Sequence, residues 1–170
     1  MPPLADNLAV RVNEHLLFAQ LLLADGERSA CVDGAHPQTQ RAYLQAVIIQ
    51  LDLALACYCG EILGATPSSD ILRTSVTHID DSGGDSRLVE LRELHRSHDS
   101  WLAQLCRFND QIRQGQVASP SREQEVSANL IAVSAETGDF WSEGSFDVIE
   151  HIRDSLDRFI ANQRDLAQEY

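Results

Sequence analysis

The sequence predicts an all-α protein: an antiparallel four-helix bundle with one short extra helical turn and one long irregular connection. Apolar residues recur at steps of three and four along four long stretches of the chain. Segments that contain glycine and proline separate these stretches. The 170 residues are 44% hydrophobic and 23% charged, which is typical of an ordinary globular protein. We therefore expect one helical-bundle domain over residues 1–170.

The first helix is expected from about Asp6 to Asp25, and Gly26 is a typical helix stop. Between residues 16 and 23 only Gln20 is strongly polar, so we expect this helix to have neighbours on more than one side. The residues at three- and four-residue steps are Leu8, Val12, His15, Leu16, Ala19, Leu22 and Leu23.

The second helix is expected to begin near Pro37, a residue favoured in the first turn, and to continue to Gly64. Gly60 and Gly64 have small-xxx-small spacing, which we interpret as close helix approach or a helix end. Residues 42–63 come closest to a membrane span, but four polar residues interrupt them, and we interpret the segment as a buried helix. These residues are Gln45, Gln50, Asp52 and Glu61.

One narrow stripe of the second helix carries polar groups along an otherwise apolar rod. At about 100° per residue, the stripe consists of Arg41, Gln45, Asp52 and Cys59. We expect it to face water. For Asp52, a solvated carboxylate is therefore the favoured interpretation, and a buried acid with a shifted pKa is the alternative.

The third helix is expected over about residues 86–114, after a long connection in which Asp70 to His78 form a short helical turn. Its apolar seam has strict three–four spacing and places His98 among the packed residues. Residues 97–100 are poor helix formers with good capping ability, so we expect a kink or break there. The seam consists of Leu91, Leu94, His98, Trp101, Leu105, Phe108 and Ile112.

The segment 115–144 has no clear periodicity apart from an apolar island at residues 130–133, and it is the predicted irregular connection. After Gly144, Ser145 can cap a last helix. The seam of that helix also has three–four spacing, and consists of Ile149, Ile152, Leu156, Phe159, Gln163, Leu166 and Tyr170.

The composition excludes several classes of function. The 13 basic and 26 acidic residues give a net charge of −13, which opposes nucleic-acid binding. All the basic residues are Arg, so the chain supplies no Schiff-base, phosphate-loop or kinase lysine. The nine glycines form neither a dinucleotide-binding fingerprint nor a nucleophile elbow. We expect no cofactor and no catalytic residues.

The first ten residues contain Asp6 and lack a basic cluster before an apolar run, unlike a secretory signal. We therefore expect a cytoplasmic protein with reduced cysteines and no membrane partner. Cys57, Cys59 and Cys106 lie in apolar helical contexts, which predicts small buried packing residues.

A metal site is one alternative for the chemistry of the chain. His95 and His98 stand three residues apart on the third helix, near Glu90 and Glu93, and His15 is a third candidate ligand. The Glu-x-x-His pairs of ferritin-like di-metal proteins do not occur. A hydrogen-bonded seam histidine is the favoured interpretation of His98.

A nuclease site is a second alternative, because Arg73 and His78 have the Arg-x4-His spacing of certain helical-bundle ribonucleases. Such a two-residue pattern arises readily by chance, and an acidic chain repels RNA. Trp101 and Trp141 are expected to be core anchors, or partner-docking residues if either is exposed in an apolar patch.

Several segments together resemble a family of small, uncharacterised helical proteins from gammaproteobacteria. They are the run from Asn13 to Ala19, the second-helix end from Cys59 to Ile62, the Asp99–Leu102 segment, the Asn129–Ile131 island and the amphipathic end. The resemblance implies a cytoplasmic bacterial helical protein and supplies no catalytic residues. Because catalytic constellations are missing and the seams of two helices could serve intermolecular packing as easily as the core, we expect a non-enzymatic module that acts by binding another protein or a second copy of itself.

Overall fold

In the computed structural model, residues 4–32, 36–67, 85–113 and 145–168 are described. These residues form helices and contain no strand, which confirms the all-helical class. The helices are α1 (Leu4–Ala30), α2 (Pro37–Leu63), α3 (Ser86–Arg96), α4 (Trp101–Arg113) and α5 (Phe146–Gln168). The predicted helical turn at residues 70–78 and the predicted irregular connection at residues 115–144 lie outside the described residues.

Helix α1 buries the apolar face that its periodicity predicts, with Leu8, Val12, Leu16, Ala19 and Leu23 in the core. The predicted stop at Gly26 is wrong, because the helix continues to Ala30. A Cβ atom on Gly26 would lie 2.5 Å from Cε1 of Phe146 and 3.0 Å from Cβ of Tyr43. Gly26 therefore allows α2 and α5 to approach α1 closely, and it does not end the helix.

Helix α2 has the predicted bounds and well-defined ends. The Nδ1 atom of His36 accepts a hydrogen bond from the backbone N–H of Gln38 at 3.3 Å, and Pro37 occupies the first turn. At the other end, Gly64 has φ of 61° and donates its N–H to the carbonyl of Gly60. The glycine pair thus ends the helix, as the sequence indicates.

The same helix is the one described segment that is long and apolar enough to cross a membrane, by length and composition. Its most apolar 18-residue window has a mean hydropathy of 1.7, and 56% of that window is buried inside the protein. Side chains such as Val47, Leu51 and Leu55 are fully buried. This burial is the environment expected for a core helix.

Helices α1 and α2 pack against each other more extensively than any other pair of described helices. Gly26 lies beside Tyr43 and Leu8 lies beside Gly60, while His15 is hydrogen-bonded to Gln50. Residue numbers therefore rise along α1 as they fall along α2. The two helices form an antiparallel hairpin.

The predicted third helix is divided into α3 and α4 at residues 97–100, which confirms the expected break. The Oγ atom of Ser100 accepts a hydrogen bond from the N–H of Ala103 at 3.1 Å and caps α4. The predicted position of His98 on the packing seam is wrong, because the break removes it from both helices and leaves it exposed.

Helix α5 begins after Ser145, whose Oγ accepts a hydrogen bond from the N–H of Val148 at 3.3 Å, as predicted. Its seam is buried from Ile149 to Gln163, but Leu166 is 53% exposed, so the predicted seam ends one step early. Tyr170 lies outside the described residues.

The aromatic part of the core lies where α2, α4 and α5 meet. The ring of Phe159 lies 6.0 Å from the ring of Tyr58 and 5.9 Å from that of Trp101, centroid to centroid. Near the C-terminal ends of α2 and α5, the Arg164 guanidinium binds Glu61 at 2.7 Å and the Asn13 side chain at 3.1 Å. These contacts hold α5 against both helices of the hairpin.

Candidate functional site

Two surface features of the described residues are candidates for a binding site: an exposed apolar helix face and a pocket. The first, here called the outer face, is the solvent side of α1 and carries Val10, Leu17, Phe18 and Leu21. The second, here called the α2–α4 pocket, is a cavity of about 280 Å³ between α2 and α4. It is lined by Ile49, Asp52, Leu53, Ala56, Pro67, Asn109, Ile112 and Arg113.

The outer face is apolar although it points away from the core. At about 100° per residue, Val10, Leu17 and Leu21 lie within roughly 40° of one another and roughly 160° from the buried face. Their exposed fractions are 56%, 52% and 54%. Phe18 lies beside them, is 46% exposed, and contacts the ring of His15 edge-on. The sequence predicts neighbours on more than one side of α1, yet no described helix covers this side.

The charges near the outer face nearly cancel. Between residues 10 and 28, Glu14, Asp25 and Arg28 lie within about 60° of the Val10–Leu21 line, which gives one positive and two negative charges, a net of −1. Arg28 is paired with Asp25 on the same helix. The net charge of the outer face is therefore small, and Val10, Leu17 and Leu21 contribute none of it.

The α2–α4 pocket has one polar wall. Arg113 donates from Nη2 to Oδ2 of Asp52 at 3.1 Å and from Nε to Oδ1 of Asn109 at 3.4 Å. The Asn109 side chain is also hydrogen-bonded to Asp52. The remaining lining is formed mainly by aliphatic side chains and Pro67. Such a cavity, largely apolar with a few convergent polar groups, is the usual form of a small-molecule site.

Asp52 is the titratable group of this wall, and the prediction that it faces water is wrong. Its side chain is only 18% exposed. Burial raises the pKa of Asp52 above its ordinary value of 3.8, and the Arg113 charge and the hydrogen bonds from Asn109 and Arg113 oppose that rise. The physical reason is that α4 packs over this side of α2. The structure therefore favours the alternative interpretation, an acid with a shifted pKa, with Asp52 mostly but not fully buried.

Cys59, the C-terminal member of the predicted polar stripe, is also turned inward. Cys59 is fully buried, and burial raises the pKa of its thiol to about 12, with Cys106 as a neighbouring contributor. Cys57 is also buried, and burial raises its thiol pKa. Cys106 is half-buried. Thiols in such surroundings are packing residues, as the sequence indicates for the two buried cysteines.

The histidines proposed as metal ligands lie in different parts of the structure. His15 is on α1, with Nδ1 placed 2.8 Å from Oε1 of Gln50 on α2. His95 is half-buried in the last turn of α3, and His98 is exposed in the turn after it. Within the described ranges, no three histidine, cysteine or acidic side chains are grouped closely enough to hold a metal ion.

The acidic residues near those histidines have other partners. Glu90 accepts a hydrogen bond from the side chain of Gln163, and Glu93 pairs with Arg96 at 3.4 Å. Trp101 is half-buried against Phe159 and belongs to the core. Trp141 and the pair Arg73 and His78 lie outside the described residues.

Sequence reasoning missed both surfaces, although a signal for each was present. For the outer face, Val10, Leu17 and Leu21 follow a seven- and four-residue spacing of their own, out of phase with the buried residues. For the pocket, the signal was Asp52, one of two acids on the most apolar helix.

Comparison with protein-family models gives a match over residues 7–170, to a family of unknown function named DUF6586. The chain belongs to this family. Searches of curated proteins and of solved structures give no match. Membership of DUF6586 agrees with the resemblance to an uncharacterised helical family and assigns no role to any residue.

Proposed function

We propose that this DUF6586 member is a non-enzymatic helical module that acts through protein–protein interaction, and that the partner bound at its outer face is a second copy of the chain. The observation that carries the proposal is the roughly half-exposed apolar line of Val10, Leu17 and Leu21 on α1. We also infer that the helices form the antiparallel bundle that the sequence indicates, because α1 and α4 each pack against both α2 and α5.

An apolar line of this kind favours association. Each side chain would lose its remaining contact with water in an interface, and apolar burial stabilises by about 25 cal/mol per Å². Exposed apolar residues that stand singly are common, but a row on one helix face is typical of an interaction site. The row lies on a described helix, whose backbone is already ordered, so binding requires little further ordering.

The charge distribution favours a second copy as the partner. Two chains that each carry −13 repel each other over most of their surfaces. The outer face, with a local net charge of −1, is a place where two copies can meet with little repulsion. A two-fold axis would bring this face against itself, the commonest arrangement in homodimers.

The order of charges along α1 selects an antiparallel pairing. In a parallel pairing Glu14 would meet Glu14 of the other copy, and Arg28 would meet Arg28, so like charges would be opposed. Glu14 and Arg28 each stand seven positions from Leu21 (21 − 14 and 28 − 21). An antiparallel pairing centred on Leu21 therefore places Glu14 of one copy opposite Arg28 of the other.

The size of the face predicts a reversible dimer. Residues 14 to 28, which overlap in a pairing centred on Leu21, span roughly 21 Å at a rise of about 1.5 Å per residue, which with a width of about 10 Å gives on the order of 200 Å² per copy. Stable interfaces bury about 800 Å² per partner. We therefore expect a weak, reversible dimer whose population rises with protein concentration.

The experiment is light scattering after size-exclusion chromatography, over a range of protein concentrations. The unmodified chain is expected to rise in mass from 18.9 kDa towards twice that value as concentration increases. Leu21→Glu should remain monomeric throughout. The matched control is Leu63→Glu, since Leu63 is 47% exposed and lies off the outer face; it should dimerise like the unmodified chain.

A charge exchange tests the antiparallel arrangement. Arg28→Glu should weaken the dimer because it opposes Glu14, and the double variant with Glu14→Arg should restore it. A monomer at every concentration, or equal weakening by the Leu63 control, would show that the outer face is not the interface.

A further inference from the structure

The α2–α4 pocket lies between elements that the proposed dimer does not use, so it can be considered separately from the outer face. Ile49, Leu53 and Ala56 form its wall on α2, Ile112 on α4, and Pro67 closes one end. Ile49 and Leu53 remain 44% and 40% exposed. An apolar cleft with accessible walls can take up an apolar group from solution.

The size of the cavity limits the occupant. A cavity of about 150 Å³ holds a benzene molecule, so the 280 Å³ of this pocket can hold one ring with a short chain attached. Larger ligands would extend into solvent and gain little from the aliphatic walls.

The polar wall selects the charge of the occupant. Among the residues that line the pocket, Asp52 and Arg113 are charged and are paired with each other. Asp52 accepts hydrogen bonds from Asn109 and Arg113, yet a carboxylate has about four acceptor sites. The wall therefore has unused acceptor capacity at Asp52, on a chain with a net charge of −13. A positively charged donor fits these conditions, and an anion is opposed by them.

We propose that the α2–α4 pocket binds a small organic cation, in which an apolar body of about one ring carries a single ammonium group that donates to Asp52. The aliphatic walls hold the ring, and the charge-assisted hydrogen bond to the carboxylate fixes its direction. Arg113 keeps its hydrogen bond to Asp52 and supports the carboxylate from the other side.

The test is isothermal titration calorimetry of the full chain with 2-phenylethylammonium, with 2-phenylethanol as the neutral analogue of the same shape and 3-phenylpropanoate as the anion. The cation is expected to bind saturably, and at least about tenfold more tightly than either analogue. Asp52→Asn, which keeps the shape and most hydrogen bonds, should reduce the cation's affinity about tenfold and leave the alcohol's unchanged.

Two further variants separate the pocket from the general field of the protein. Asp99→Asn removes a charge from an exposed residue outside the pocket and should leave cation binding unchanged. Ala56→Leu fills the cavity and should weaken the cation and the alcohol alike, with the circular-dichroism spectrum confirming that the variant is folded.

Three results would overturn the site: no saturable binding of the cation, equal affinity for the cation and the alcohol, or the same loss in Asp99→Asn as in Asp52→Asn. The last would mean that the negative field of the whole chain attracts the cation. None of these results bears on the dimer, because the outer face is on α1 and its test measures mass.

Discussion

Helices α1 and α2 form one hairpin, yet they depart from simple amphipathic patterning in opposite directions. Helix α1 leaves an apolar row, Val10, Leu17 and Leu21, about half exposed. Helix α2 instead has a polar stripe in which Cys59 is buried and Asp52 is mostly covered by α4. The apolar row, which no described helix covers, is the basis of the proposed intermolecular contact, and the mostly covered acid beside a cavity is the basis of the proposed small-molecule site.

The largest expected effect separates the two faces of α1. Leu23→Ala removes a side chain that is 5% exposed and should lower the free energy of unfolding by about 2–5 kcal/mol. Leu21→Ala, on the outer face, should change it by less than about 0.5 kcal/mol when measured at a dilution that keeps the chain monomeric. Urea unfolding followed by circular dichroism measures both. Similar losses for the two variants would mean that the outer face is packed within the monomer.

A smaller effect is expected where α2 ends. A Cβ atom on Gly60 would lie 2.7 Å from the backbone oxygen of Ala65, which cannot move away as a flexible side chain can. Gly60→Ala should therefore lower the free energy of unfolding by about 1–3 kcal/mol. The control is Gly64→Ala, which meets no neighbouring atom and loses only the left-handed preference of glycine, about 1 kcal/mol. An unchanged urea midpoint for Gly60→Ala contradicts the close approach.

The covered acid on α2 predicts a pH dependence of stability. Because the pKa of Asp52 is raised in the folded protein, the folded state binds more protons than the unfolded state in that range. The resulting contribution is fully present below the unfolded value of 3.8 and is lost as pH rises through the folded pKa. Asp52→Asn lacks this loss, so its stability relative to the unmodified chain should increase with pH across that window.

Arg113→Met sharpens the same prediction. Removing the guanidinium removes the charge and the hydrogen bond that oppose the rise, so the pKa of Asp52 should rise further and the loss should extend to higher pH. Urea midpoints measured from pH 3 to pH 8 give the comparison. If Asp52→Asn and the unmodified chain change in parallel, the carboxylate is solvated after all.

The smallest perturbation is thiol labelling, which leaves the fold intact. Cys31 is exposed and Cys59 is buried, with a thiol pKa raised to about 12. Iodoacetamide at pH 8 should therefore modify Cys31 first, and Cys59 only when the chain unfolds. Peptide mass spectrometry identifies the order, and early modification of Cys59 would contradict its packing.

Much of the helical arrangement follows from local signals in the sequence. Pro37 and Gly64 mark the ends of α2, the Ser97–Ser100 segment marks the break before α4, and Ser145 marks the start of α5. In each case a backbone hydrogen bond or a fixed dihedral angle depends on residues within one turn.

The errors arise where tertiary contacts decide the outcome. Gly26 is compatible with a helix end, but in the structure its lack of a side chain leaves room for Phe146 and Tyr43 to pack against α1. Asp52 and Cys59 lie on a polar stripe, and only the position of α4 shows that this stripe is covered. His98 has the spacing of the apolar seam, but the break before α4 removes it from both helices and leaves it exposed. The outer face and the pocket depend on which helix lies beside which, and periodicity does not contain that information.

Disulfide trapping tests the proposed contact between two outer faces most directly. In a Cys31→Ser background, Leu21→Cys places a thiol at the centre of the antiparallel pairing, and Leu63→Cys places one at a similarly exposed position elsewhere. Mild oxidation should convert most of the Leu21→Cys chain into a covalent dimer of twice 18.9 kDa on a non-reducing gel, and little of the Leu63→Cys chain. Equal, slow cross-linking of the two variants would contradict the account, because it would mean that the thiols meet only by random collision.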